Sequence, residues 1–158
     1  MHSLYRSSRF LGVFLALMTT LAVAVVVEMR TAGANSNGKV EGSYLISGHS
    51  ETDNHTFQVV AAFDPGGATS LVATDLANST LLGQWMLTES ERVIATYYGY
   101  AFDAARHVVG TVKIQSTLEV TSGSLTGTFQ ATGTTPSGGQ LFPPQHGPIN
   151  GSRIKAGS

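Results

Sequence analysis

Residues 111–119 alternate without a break. Val112, Ile114, Ser116 and Leu118 face one way; Thr111, Lys113, Gln115, Thr117 and Glu119 face the other. A period of two over this length predicts a β-strand with one buried and one solvated face. The same pattern in residues 56–63 puts Phe57, Val59, Ala61 and Phe63 on one face. In residues 124–132 it turns Leu125, Gly127, Phe129 and Ala131 inward. Residues 93–102 carry aromatics on both faces: Tyr98, Tyr100 and Phe102 with Thr96 on one, Tyr97 with Val93, Ala95, Gly99 and Ala101 on the other. Shorter strands are expected at 40–47, 68–74, 82–88 and 149–154.

The breaks between these runs are rich in turn chemistry. Asp64-Pro65-Gly66-Gly67 joins a fixed φ, residues free to take positive φ and a side chain able to bond its own backbone. Ser122-Gly123 closes the next clear hairpin, and the polar stretches 49–54, 75–79, 90–92 and 103–107 read as connections. Residues 133–148 hold Pro136, Pro143, Pro144 and Pro148 among glycines, and read as a long loop. The domain at 40–155 is therefore all-β: a small antiparallel up-and-down β-barrel of about eight strands, with a β-sandwich as the alternative. Closure into a barrel removes exposed strand edges. Gly99, Gly110 and Gly127, on neighbouring strands, are expected to relieve crowding and leave volume inside.

Residues 1–34 are different in kind. Arg6 and Arg9 precede an uncharged, apolar run of 18 residues at 10–27. A basic flank before such a run is an export signal. Ala32-Gly33-Ala34 offers small residues for cleavage, so a removed signal peptide is one reading. A membrane anchor with its N-terminus on the cytoplasmic side is the other, since the run just reaches spanning length as a hydrophobic helix. Both place the domain on the outer side of a membrane, secreted or anchored, with 35–39 as linker.

Composition narrows the chemistry. The chain of 158 residues has no cysteine, which excludes disulfides and thiolate chemistry. Past residue 34 there are six basic and nine acidic residues, a net charge of -3 with no basic patch, which argues against nucleic acid as a partner. No His pair has a strand-face metal spacing, and no metal or cofactor is expected. Asp64 and Asp103 each follow a Phe and open a turn, where a carboxylate accepts backbone amides. Asp75 ends a strand. His146, in the Pro-rich loop, is a candidate for one mouth of the barrel. Asn54, Asn78 and Asn150 each begin an Asn-x-Ser/Thr triplet, open to N-glycosylation if the source is eukaryotic.

An ordered set of positions carries a resemblance: Gly42, Phe63 with Asp64 and Gly67, Thr74-Asp75, Gly83-x-Trp85, Tyr100-x-Phe102-Asp103, Gly110-Thr111-Val112, Gly123-x-Leu125-x-Gly127 and Gly151-x-Arg153-Ile154. Over residues 40–155 it resembles a family of small exported bacterial and fungal proteins with a calycin-like, eight-stranded barrel, similar to allene-oxide-cyclase and lipocalin-like barrels and mostly without an assigned activity. The Gly-x-Trp of lipocalins lies in the first strand, whereas Gly83-x-Trp85 lies mid-chain. The resemblance implies a barrel and no catalytic residue. Trp85, Tyr98, Tyr100, Phe129 and His146 are the residues expected around a cavity. Three functions are open: binding of a small apolar molecule, a structural or interaction module with a filled core, and a cofactor-free cyclase or isomerase using the barrel as a container.

Overall fold

The computed structural model describes residues 39–73 and 80–155. The segments expected to act as leader or anchor (1–34) and nearly all of the linker (35–39) lie outside the described residues, as do Asp75 and Asn78. Eight strands follow in chain order: β1 (Gly42–Ser50), β2 (His55–Phe63), β3 (Ala68–Ala73), β4 (Thr80–Leu87), β5 (Arg92–Phe102), β6 (Val108–Thr121), β7 (Ser124–Thr134) and β8 (Gln140–Arg153). Each pairs antiparallel with its neighbours in sequence, and β8 returns to pair with β1, so the sheet closes into an up-and-down barrel. No helix among the described residues is long and apolar enough to cross a membrane.

The alternation in the sequence becomes the inside and outside of the wall. Along β6, Val112, Ser116 and Leu118 are buried while Thr111, Gln115, Thr117 and Glu119 are exposed. Along β5, Val93, Ala95 and Tyr97 are buried and point inward. That parity sends Tyr98 and Tyr100 to the outer face, where they are 57% and 60% exposed. Tyr98 lies opposite Leu82, and Lys113 lies over its ring at 5.9 Å.

Four connections share one turn. Asp64, Thr88, Asp103 and Thr135 each open a loop whose fourth residue (Gly67, Glu91, Arg106 or Gly138) has a positive φ. The amide of that residue donates to the opening residue's carbonyl, and the amide of the opening residue donates to the carbonyl beyond. Side chains reinforce three of them: Asp103 Oδ1 accepts from the His107 amide at 2.8 Å, and Thr88 and Thr135 hydroxyls accept in the same position. The turn role read for Asp103 in the sequence is the one it performs.

The stretch expected to be a loop, 133–148, is the largest departure. Only its first part turns; Gln140–Arg153 is one long strand. The register between β7 and β8 shifts at Gly133, so that Pro143 and Pro144 fall where the ladder is interrupted. Prolines are tolerated at such a bulge because no ladder N–H is lost there. Pro148 lies just past the last β1–β8 pair, Gly48 with Ile149.

Glu119 and Leu118 are adjacent and test the wall directly. Leu118 is 1% exposed; Glu119 is solvated and pairs with Arg92 at 3.0 Å. Leu118→Asp is expected to cost more than about 4 kcal/mol in urea unfolding, because it buries an unpaired charge. Glu119→Ala is expected to cost at most about 1 kcal/mol, the range of an exposed ion pair.

Candidate functional site

The barrel interior divides across its height. At the end bearing turns 64–67, 88–91 and 122–123, side chains fill it. Tyr44, Phe63 and Trp85 form a chain of edge-to-face aromatic contacts, with ring centres 5.7 Å and 6.0 Å apart. Trp85 donates its indole N–H to the Asp64 carbonyl at 3.0 Å. Val93, Leu118 and Leu125 complete this tier, each 1% exposed or less. Arg153 seals the bottom: its guanidinium lies over the Tyr44 ring, donates to the Tyr44 hydroxyl at 2.9 Å and donates to the Lys39 carbonyl at 2.6 Å.

The other half is hollow. A cavity of about 260 Å³ lies between the upper parts of the strands. Its walls are Ile46, Val59, Leu71, Val112, Ile114 and Ile149, with the small side chains of Ala73 and Ala131. Phe129 is in the wall, packed edge-on against Phe57 with ring centres 5.0 Å apart. Phe57, Phe142 and Gln145 are half-buried and form the described part of the rim. Residues 74–79, between β3 and β4 in the chain, lie outside the described residues. No charged residue lines the cavity among the described residues. Its polar groups are Tyr97, Ser116 and Gln145.

Each polar group is placed by the wall. Tyr97 shares a register row with Gly83 and Thr69, and its hydroxyl hydrogen-bonds the Thr69 hydroxyl at 3.3 Å. Burial pushes its phenol up from the usual 10 to about 12, with the Thr69 contact opposing only in part. Gln145 donates its side-chain amide to Asp53 Oδ2 at 3.1 Å, which ties β8 to the β1–β2 turn. Thr52 strengthens that tie by donating to the Pro144 carbonyl at 3.1 Å. Ser116 is 6% exposed and makes no hydrogen bond with its hydroxyl to another described residue.

Of the five residues expected at a cavity, Phe129 alone lines it. Trp85 is inside but beneath, in the packed tier. Tyr98 and Tyr100 are outside. His146 is exposed on β8, 3.5 Å from Glu51, and its neighbour Gln145 takes the inward place expected of it. The glycines also act differently. A Cβ on Gly127 would overlap the Thr117 carbonyl, and one on Gly110 the Thr134 carbonyl. They permit close backbone approach and open no space for a ligand. Among the acceptor asparagines, Asn54 lies in the exposed β1–β2 turn with a positive φ, and Asn150 is exposed within β8 rather than in a loop.

A second hollow, of about 680 Å³, lies on the outer face beside Ser47, His49, Gln58 and Asn150. It opens widely to solvent, and Gly48, Phe57 and Pro148 join the polar side chains in its sides. No group of three or more metal-ligating side chains is present among the described residues. No family model matches the chain, and no curated protein or solved structure matches it. What stands of the resemblance is therefore its architecture, the closed eight-stranded antiparallel barrel.

The raised phenol of Tyr97 makes folding depend on pH at the alkaline end. Below pH 10 both folded and unfolded chains hold the proton, and its contribution is constant. Between pH 10 and about 12 the unfolded chain releases it while the folded chain keeps it, so stability falls. The loss due to this group is expected to reach about 2–3 kcal/mol. Urea unfolding at successive pH values should show it, and Tyr97→Phe should remove that part of the slope.

Proposed function

We propose that the barrel is a binding protein for a small, uncharged, largely apolar molecule held in the upper cavity. The observation that carries this reading is the contrast between the two halves of one interior. The lower half is filled with aromatic and aliphatic side chains, whereas the upper half keeps about 260 Å³ with no charged residue among its described lining. Small barrels either fill with side chains or hold one small ligand, and this one does both at different heights. The volume equals roughly nine waters at about 30 Å³ each. It lies just under the roughly 300 Å³ at which ligand pockets begin, which suits a molecule of one or two fused rings.

Catalysis has less support. Tyr97 is the one titratable group lining the cavity among the described residues, and its phenol stays protonated at neutral pH. General acid–base work calls for a group titrating near the working pH. The export pattern of Arg6, Arg9 and residues 10–27 supports a role outside the cytoplasm, where the ligand would be captured from the surroundings.

Ala131 is 7% exposed and presents its methyl to the cavity. Ala131→Leu is expected to fill part of the space and weaken binding of a naphthalene-sized probe by about tenfold or more. The melting temperature without probe should stay close to that of the native chain, because the added carbons enter a void rather than a packed site. Leu82→Ser, on the outer face, should leave binding unchanged. Titration calorimetry with thermal melts checks all three. Unaltered probe affinity in a folded Ala131→Leu protein would overturn the proposal.

A further inference from the structure

We infer that Ser116 is the polar anchor of the cavity and that the ligand carries one hydrogen-bonding oxygen at its inner end. This rests on the binding reading above and narrows it to a ligand class. Along β6 the inward residues run Val112, Ile114, Ser116 and Leu118 from the rim downward. The first three line the cavity and Leu118 belongs to the packed tier, so Ser116 is part of the floor.

The other polar groups at the cavity are engaged within the protein. The Tyr97 hydroxyl is held by Thr69, and the Gln145 amide by Asp53 at the rim. Ser116 has no such partner among the described residues. A buried hydroxyl without a hydrogen bond costs about 1–3 kcal/mol, and a Val there would fit the alternation of the strand equally well. The Ser116 side chain lines the hollow.

A serine hydroxyl both donates and accepts, so a ketone, an ether or an alcohol would satisfy it. A carboxylate would not: the described lining of the cavity offers no cation to offset its desolvation. The ligand class is therefore an uncharged, compact, ring-sized molecule that enters oxygen first, with its hydrocarbon body against Phe129, Ile149 and Val112.

Tetralin and 1-tetralone test this, since they share a shape and differ by one carbonyl. The full chain binds both, and Ser116→Ala weakens tetralone about five- to tenfold while leaving tetralin unchanged or tighter. Ser116→Cys, of similar size with a weak donor, falls between the two. The apolar segment at 10–27 is common to all variants, so differences among them report the cavity. Equal effects of both substitutions on the two probes, or no effect in folded variants, would overturn the anchor and leave the binding reading standing. Failure of the folded native chain to bind either probe saturably would overturn both.

Discussion

Closure of β1 onto β8 is the constraint on which this molecule depends. The ladder between them is short, from Tyr44 with Arg153 to Gly48 with Ile149. Without it, two strands would present unpaired edges, and the interior would open along its full height. The ladder is supported at both ends. Below, Arg153 joins Tyr44 and the Lys39 carbonyl; above, Thr52 and Asp53 hold Pro144 and Gln145. The contacts that shape the rim of the cavity are thus the same ones that keep the barrel shut.

The interior is sorted by side-chain size. Inward residues at the lower end are Tyr44, Phe63, Trp85, Leu118 and Leu125, large enough to meet across the barrel. At the upper end Ala73, Ala131 and Ser116 take inward places, and rings meet only on one side, Phe57 against Phe129. A closed wall cannot shrink to fit smaller side chains, because strand number and stagger set its diameter. Small residues inside it leave space.

Much of this wall was legible in the sequence, because a period of two fixes which residues share a face. Thr111 to Glu119 read correctly residue by residue, and so did the turn role of Asp103. What failed were inferences from residue type against parity. Tyr98 and Tyr100 are aromatic yet lie on the opposite face from Tyr97. His146 is polar and in a Pro-rich stretch, but Gln145 has the inward phase. The first part of strand β8, residues 140–148, was hidden by prolines whose tolerance depends on a register shift, a relation between two strands that one strand does not record. The effect of Gly127 was hidden for the same reason: what limits it is the Thr117 carbonyl on the neighbouring strand.

The bond between Arg153 and the Lys39 carbonyl has a topological consequence. The chain enters and leaves the barrel at adjacent points, both on the packed side. A tether joined to the barrel at Lys39 or Arg153 therefore starts on the packed side, away from the rim formed by Phe57, Phe142 and Gln145. Lys39 and Arg153 lie close enough that a brief linker would splice the barrel there, and the exposed turn at Ser137 and Gly138 could then serve as the new start and finish of the barrel without cutting a strand.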